Sequence, residues 1–440
     1  MILVTDETIF GFSWKKNKRS EGMKRAVLVT FMLFIVVGLI FAQSAAETPA
    51  AKQEIRVLLW DSTYNSTIEK NNIEEKFEAA YPEYDVIFDK IAYDDLDKQI
   101  LFSHASGDDY DVIQVITTSL NPLYAGGALA PMDDLLKSTN LDFSTWSPAA
   151  VQAGIIGGKT VGLPFDPDCR ILAYNVKILR ELGLEPPKTT DDMLTIAKAA
   201  YEKLGVYAMA GQISKNVFCM YDLGGFQLCF DSKVYDLVDG KYTALLDQPE
   251  ALAFVTWATE MYKYMPKDTN INDTLARSMF AQGKVAMLWW TPSQIKSVIP
   301  QFENREDLEF SVMPVGPTGV RGSAMGGYHW GIGSGSKNKE AAMKFLEFAL
   351  QPENQALIAR GLPADTKAFD YPPYNVPDYD MFREQLKSSS YPAPLIDLFT
   401  KVAETWNRRF QEALLGTLTP EEACRLGQQE VQAILDTYKY

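Results

Sequence analysis

The sequence predicts an α/β protein built on a mostly parallel, doubly wound sheet. Three apolar runs of buried-strand character alternate with two helical stretches between residues 55 and 116. Buried-type strands separated by helices are typical of parallel sheets that helices cover on both faces. The 440 residues, of which 47% are hydrophobic, suffice for two or three domains with sizeable cores.

The alternation begins at residues 55–60, a short apolar run that predicts the first strand. A helical stretch follows, in which apolar residues recur every four positions from Ile73 to Tyr81, and Pro82 ends it. Residues 84–88 predict the second strand. A second helix then runs to Ser106-Gly107, and residues 111–116 predict the third strand.

Later segments continue the pattern. Residues 189–192 predict a helix cap, and residues 284–289 predict another strand. Apolar residues on one face of 342–350 predict an amphipathic helix. Residues 419–422 form a capping-box sequence with Pro420 at the first helical position. The proline-containing stretch 370–378 is interpreted as an irregular loop.

Charge excludes two classes of partner. The net charge is −15, and beyond the first 25 residues no basic run occurs. Nucleic-acid binding needs clustered Lys and Arg, and so does electrostatic docking on an anionic membrane. The sequence therefore argues against both.

The N-terminal segment has the layout of a secretory signal peptide. Six basic residues precede an apolar run at 26–42, and small residues follow at 44–46. We expect residues 1–46 to be removed; the alternative is an uncleaved anchor that keeps the protein membrane-associated. Met23 is a more usual start, which would make residues 1–22 a misassigned upstream extension. The expected location is periplasmic or extracellular.

The four cysteines form no C-x-x-C pair, so the sequence predicts no zinc site. Cys219 and Cys229 could form a disulfide in an oxidising compartment. Isolated buried thiols are the alternative, because Cys packs well as a small hydrophobe.

Six segments together resemble the maltose-binding-protein-like extracellular solute-binding proteins, family 1, of sugar ABC importers. They occur in the family's order over nearly all of the chain after residue 46: FEAAYP at 77–82, ASGDDYDVI at 105–113, GLPFD through LAYN at 162–175, FAQGKVAM at 280–287, GGYHWGI at 326–332 and GLPA at 361–364. Tyr110 stands where the family usually has Pro.

The resemblance implies the type II periplasmic-binding-protein fold: two α/β lobes with a ligand cleft at a hinge of three crossovers. The crossovers are expected near residues 164–168, 326–329 and 363–365. The N-terminal lobe would then comprise residues 47–165 plus 329–362. The C-terminal lobe would comprise residues 166–328 plus 363–440.

Side chains at the carboxyl ends of the first and third strands are candidate ligand contacts, because ligands bind at that edge of doubly wound sheets. They are Trp60, Asp61, Tyr64 and Asn65 after the first strand, and Thr117, Thr118 and Ser119 after the third. Each has a structural alternative: core packing for Trp60, a helix cap for Asp61, and a polar turn for 117–119.

The predicted crossovers supply charged and aromatic candidates. Asp166, Asp168 and Arg170 could clamp vicinal hydroxyls, or form a structural ion pair across the hinge. Family positions add a larger set of candidates, which are Tyr221, Asp222, Trp289, Trp290, Tyr328, Trp330 and Trp406. Where relatives have a stacking Trp in a Gly-x-Trp context, this chain has Thr-Pro-Ser at 291–293. Strand alternation lets only one of Trp289 and Trp290 face the cleft, and Trp290 is favoured.

The predicted function is capture of a carbohydrate, whether a mono- or oligosaccharide or a polyol, for delivery to an ABC transporter permease. We expect a monomer with no catalytic residues, cofactor or metal. His104 and His329 are the only histidines, which leaves few ways to build a His-based triad or metal site. Two alternatives stay open: an exported glycoside-active enzyme with two carboxylates, and a binding protein for a non-sugar solute such as a polyamine.

Overall fold

The fold is described from a computed structural model of the chain. The described residues are 52–60, 68, 71–211, 213, 217–268, 271–292, 299–302 and 304–438. Helices and strands are numbered in chain order. Within the described residues, no helix combines the length and the apolar run that a membrane span requires.

The larger sheet has six strands, ordered β13-β12-β3-β1-β2, with β6 also paired to β12. Its strands are β1 Gln53–Trp60, β2 Tyr84–Ile91, β3 Val112–Ile116, β6 Leu163–Cys169, β12 Ser323–Ile332 and β13 Ser389–Ser390. β1 runs parallel to both β2 and β3, whereas β12 runs antiparallel to β3 and β6. The carboxyl ends of β1, β2 and β3 therefore meet at one edge.

The second sheet has three antiparallel strands in the order β10-β7-β11. They are β7 Ile171–Asn175, β10 Met287–Trp290 and β11 Leu308–Ser311. Two hairpins complete the described strands: β4 Ile155–Ile156 with β5 Lys159–Thr160, and β8 Tyr235–Val238 with β9 Lys241–Ala244. The prediction of a mostly parallel sheet is thus correct for β1–β3 and wrong for this second sheet. An apolar run that is buried on both faces has the same sequence pattern whether its strand is parallel or antiparallel to its neighbours.

Fourteen α-helices surround the sheets in the described part of the chain. They are α1 Ile73–Ala80, α2 Leu96–Ser106, α3 Leu120–Ala125, α4 Asp133–Leu136, α5 Pro148–Ala153, α6 Val176–Leu182, α7 Thr190–Ala199, α8 Pro249–Tyr262, α9 Asp273–Ala281, α10 Lys339–Ala349, α11 Pro352–Ile358, α12 Asp380–Gln385, α13 Phe399–Leu414 and α14 Pro420–Leu435. The predicted capping boxes are confirmed at α7 and α14. The apolar face of 342–350 is buried, as predicted.

Each sheet has its own hydrophobic core. Phe77, Trp330 and Phe345 pack together with β1 and β3 of the larger sheet. Other clusters contain the β7 and β10 side chains of the second sheet together with helices α8 and α13. The four cysteines are buried free thiols, so the disulfide between Cys219 and Cys229 does not form and the thiol alternative describes them.

The chain passes between the sheets through strands that pair with one another. β6 belongs to the larger sheet, and after Arg170 the chain continues directly as β7 of the second sheet. β12 pairs with β6 from Met325 to Trp330, with a register shift between Tyr328 and His329. The backbone amide of Leu362 bonds to the carbonyl of Pro167 at 3.1 Å, which ties a third segment to the same place. The exact division of residues between two lobes stays a prediction.

Candidate functional site

A cavity of about 230 Å³ lies where the ends of β2 and β3 meet β6 and β12. Its lining residues come from segments spread over the whole described chain, and they are Tyr93, Ile116, Thr117, Thr118, Asp168, Arg170, Tyr221, Gly326, Gly327, Tyr328, Arg360, Tyr391 and Thr400. Six of these are sequence-predicted candidates. The structure therefore brings residues from the strand ends and from the predicted crossovers to one place.

Aromatic rings form one wall of this cavity. Tyr93 and Tyr328 line the cavity, and Trp60, at the end of β1, does not line it but stacks on Tyr328 with ring centroids 5.7 Å apart and planes inclined by 23°. Tyr93, just after β2, meets Trp60 edge to face at 4.8 Å. Such a surface can bind the C–H face of a ligand.

A charged edge is centred on the Arg170 guanidinium. Its Nη1 donates to Asp168 Oδ1 at 2.9 Å, and its Nη2 lies 3.9 Å from Asp222 Oδ1. The guanidinium also lies 5.3 Å from the centroid of the Tyr221 ring. Asp168 Oδ1 accepts a second hydrogen bond from the Gly326 amide at 2.9 Å, which ties β6 to β12.

Burial and neighbouring charges decide the protonation of this edge. Burial raises the pKa of Asp222 to about 8, and the nearby Asp273 adds to the effect. Arg170 Nη2 and Asp222 Oδ1 are 3.9 Å apart, which is too long for a hydrogen bond. Burial alone would lower the pKa of Arg170, but the Asp168 and Asp222 carboxyls outweigh it and the pKa is raised. Arg170 is thus a permanent cation in the cavity.

A second cation, Arg360, lines the same cavity. Burial lowers the pKa of its guanidinium to about 9, which still leaves it charged at neutral pH. Two arginines and Asp168 therefore line the same cavity, whereas Asp222 lies behind Arg170 and does not line it.

Thr117 is held by a buried chain of hydrogen bonds. Its hydroxyl donates to the Gly327 carbonyl at 2.8 Å and lies 3.1 Å from His329 Nδ1. His329 Nε2 lies 2.8 Å from the Ala150 carbonyl, which can only accept, so Nε2 carries the proton. His329 Nδ1 is then an acceptor, as the Gly327 carbonyl is, and the Thr117 hydroxyl has only one hydrogen to donate to the two of them.

Two polar candidates serve the framework instead of the cavity. The Ser119 hydroxyl donates to Asp97 at 2.6 Å, and Ser119 does not line the cavity. Asp166 is almost fully buried, and its Oδ1 accepts from the backbone amides of Arg360 and Gly361. Asp166 thereby holds the segment before Leu362 against β6, next to the cavity.

Four tryptophan candidates lie in the hydrophobic cores and not in the cavity lining. Trp290 has no exposed surface and packs between Phe280 and Phe310. Trp289 lies on the opposite face of β10, and its ring comes so close to Gly211 that a Cβ there would clash with it. Both faces of β10 are covered, so strand alternation places neither ring in the cleft.

The other two tryptophans are equally enclosed. Trp330 stacks on Phe165 with centroids 4.3 Å apart, and Trp406 packs against Phe410 and the backbone of Gly427. Each is about 2% exposed, so neither ring is available to a ligand in this conformation. Three further candidates, Asp61, Tyr64 and Asn65, lie outside the described residues.

The sequence interpretation missed several lining residues, including Tyr93, Arg360, Tyr391 and Thr400. Tyr93 could have been found, because it follows a predicted parallel strand just as Trp60 and Thr117 do. Arg360 directly precedes the GLPA motif at 361–364, which by itself indicates only the family resemblance. Tyr391 has no local signal: the long-range pairing of β13 with β12 places it.

A larger cavity, of about 630 Å³, shares Tyr391 with the first. Its lining is mainly apolar, with Ile155, Ile156, Leu237 and Tyr242 among it, and none of the sequence-predicted candidates contributes. Its two charged side chains, Lys233 and Asp236, form an ion pair with each other, with Nζ and Oδ2 2.6 Å apart. The smaller cavity, where aromatic and charged groups converge, is therefore the candidate functional site.

Paired strands join the two helix-covered sheets, and an aromatic and charged cavity lies at their junction. This arrangement is typical of hinged two-lobe binding proteins. The family model for the bacterial extracellular solute-binding proteins matches residues 61–356, more than half of the chain, and the chain belongs to that family.

Named relatives agree with this assignment. The maltooligosaccharide ABC transporter solute-binding lipoprotein of Streptococcus pneumoniae is 24% identical over 378 residues, 81% of this chain and 83% of that protein. The diacetylchitobiose binding protein DasA of Streptomyces coelicolor is 28% identical over 57% of this chain and 58% of its own length. The sugar-binding protein MalE of Xanthomonas citri superposes with a TM-score of 0.78 at 21% identity, over 87% of this chain and 98% of its own. The latter likeness establishes the fold.

Proposed function

We propose that this protein captures a carbohydrate outside the cytoplasm and delivers it to the permease of an ABC importer. The observation that carries the proposal is one cavity that combines the Tyr328 and Tyr93 rings with the Asp168–Arg170 pair. Aromatic rings match the C–H face of a sugar, and charged groups form strong hydrogen bonds with its hydroxyls. The names of the relatives in S. pneumoniae and S. coelicolor support the same ligand class.

Closure would follow from binding at the junction of the two sheets. A sugar that touches residues on both sides, such as Thr118 and Arg170, stabilises the conformation in which both are within reach. Only this difference in affinity between conformations can drive closure. The closed form would then present both lobes to a membrane permease, whose own partners hydrolyse ATP.

The two alternative functions fit the charges less well. A polyamine would meet the guanidinium groups of Arg170 and Arg360 in the cavity, and like charges disfavour binding. A glycosidase needs two independent carboxyls flanking the bond that is cleaved. Here Asp168 and Asp222 both adjoin the same guanidinium, at 2.9 and 3.9 Å. We therefore propose a binder without turnover.

A thermal-shift screen tests the function. The purified protein is mixed with mono-, di- and oligosaccharides, polyols and polyamines, and each mixture is analysed for new products. A ligand that binds only the native state raises the melting temperature by mass action. We expect a saturable shift with one carbohydrate group and no product. A shift with polyamines alone, or release of product from an oligosaccharide, would contradict the proposal.

The same proposal includes export as a monomer after removal of residues 1–46. The basic flank, apolar run and small residues of that segment support cleavage. Intact mass of the protein recovered outside the cytoplasm, together with its mass in light scattering, tests both points. A chain that retains residues 26–42 and fractionates with membranes would favour the anchored alternative.

A further inference from the structure

We propose that the cavity accepts a single sugar ring, or a polyol of similar size, and that the Tyr391 side chain is the wall that excludes a second ring. This inference rests on the proposed carbohydrate function and narrows it to a substrate class. The first support is size. The cavity measures about 230 Å³, which is below the range of about 300–1,000 Å³ that is usual for drug-sized ligands.

The second support is the aromatic wall, which offers room for one stacked ring. Trp60 covers one face of the Tyr328 ring, at an inclination of 23°. That face of Tyr328 is therefore closed to a ligand. Trp289, Trp290, Trp330 and Trp406, which could have extended a stacking surface, are enclosed in the cores. Among the described residues, aromatic surface toward the cavity is thus limited to tyrosines close to one another.

The third support is the compactness of the polar edge. Asp168 and Asp222 both lie within 4 Å of Arg170, at 2.9 and 3.9 Å. Asp168 Oδ1 is occupied by Arg170 and Gly326, whereas its Oδ2 forms no hydrogen bond with any described residue. Oδ2 can therefore accept a ligand hydroxyl. An edge about as wide as one guanidinium suits neighbouring hydroxyls of one ring, not a row of sugars.

Tyr391 limits the cavity on the side where more space exists. Tyr391 lines both the 230 Å³ cavity and the neighbouring cavity of about 630 Å³, so it lies between the two. The preceding residue, Ser390, pairs with Ala324 of β12, which holds the backbone in place. Removal of the ring would join the two spaces and make room for a second sugar. Exclusion by a wall of this kind is a common source of specificity.

Calorimetric titration tests the inference with matched ligand pairs. The probes are D-glucose with maltose and maltotriose, D-galactose with lactose and melibiose, D-mannose with mannobiose, and D-mannitol with maltitol. The proteins are the wild type, Tyr391→Ala, and Tyr201→Ala as a control. Tyr201 is a partly exposed tyrosine on neither cavity lining. Melting temperatures of the variants are measured alongside, so that a folding defect is recognised.

In the wild type and in Tyr201→Ala, we expect a single-ring sugar or polyol to bind about 100-fold more tightly than its two-ring partner. In Tyr391→Ala, that preference should fall at least about tenfold. A wild type that binds a di- or trisaccharide as tightly as the single ring overturns the inference and keeps the carbohydrate function. An unchanged preference in a folded Tyr391→Ala overturns the role of Tyr391. Absence of binding to every carbohydrate overturns the proposed function itself.

Discussion

Trp290 illustrates how far a residue can be interpreted from its neighbours in sequence. It follows an apolar run, and strand alternation together with the family resemblance predicts that it faces the cleft. In the structure it has no exposed surface, and Phe280 and Phe310 pack against it. Alternation along a strand separates two faces, but it does not reveal whether helices cover both.

We therefore predict that Trp290→Ala destabilises the protein by about 3–5 kcal/mol, because it leaves a large cavity in a packed core. Urea unfolding of the variant measures this change. Phe102→Ala is the control, since Phe102 is 68% exposed and its loss should change the unfolding free energy by less than about 0.5 kcal/mol. A variant that keeps its stability but no longer binds sugar would show that Trp290 contacts the ligand.

Asp168 is the residue whose charge we expect to matter most for binding. Asp168→Asn keeps the shape of the side chain but removes the charge opposite Arg170. The affinity for the best sugar should fall about 10- to 100-fold, the usual worth of a charge-assisted hydrogen bond. Calorimetry measures the loss, with Asp134→Asn, an exposed carboxylate paired to Lys137, as control. Equal affinities of the two variants would remove Asp168 from the site.

At the scale of elements, caps were predictable because they depend on a few adjacent residues. In α14 the Thr419 hydroxyl accepts from the Glu422 amide at 3.2 Å, and Glu422 accepts from the Thr419 amide at 2.9 Å. Thr419→Ala should cost about 1 kcal/mol of unfolding free energy. Thr405→Ala, at a partly exposed mid-helix position of α13, should be neutral or slightly stabilising. Chemical denaturation distinguishes them, and equal effects would mean that the cap contributes nothing.

β12 contains a histidine whose role the sequence did not reveal. Burial lowers the pKa of His329 from 6.5 to about 4. Between these values the unfolded chain binds a proton that the folded protein does not. The contribution of neutral His329 to the free energy of unfolding is therefore fully present above pH 6.5. It decreases as the pH falls toward 4, by roughly 3 kcal/mol in all.

His329→Gln keeps a donor for the Ala150 carbonyl and removes the titration. The stability advantage of wild type over this variant should therefore shrink steadily between pH 7 and pH 4. Unfolding curves at several pH values for both proteins provide the measurement. A difference that stays constant with pH would show that His329 does not titrate in this range.

For the whole molecule, local pattern predicted the first βαβαβ unit because each strand and helix is contiguous. The same pattern could not distinguish the antiparallel second sheet, since β7 and β10 are buried on both faces. The site divides in the same way. Thr117, Thr118 and Asp168 were predictable from strand ends and motifs, whereas Tyr391 and Thr400 reach the cavity through pairings and packing between distant segments.

The decisive experiment for carbohydrate binding at this site is a crystal structure of the protein with the sugar that gives the largest thermal shift. We predict one intact sugar in the 230 Å³ cavity, stacked on Tyr328 and hydrogen-bonded to Asp168 and Arg170. Sugar bound only in the larger cavity, or a cleaved product in the crystal, would contradict the account.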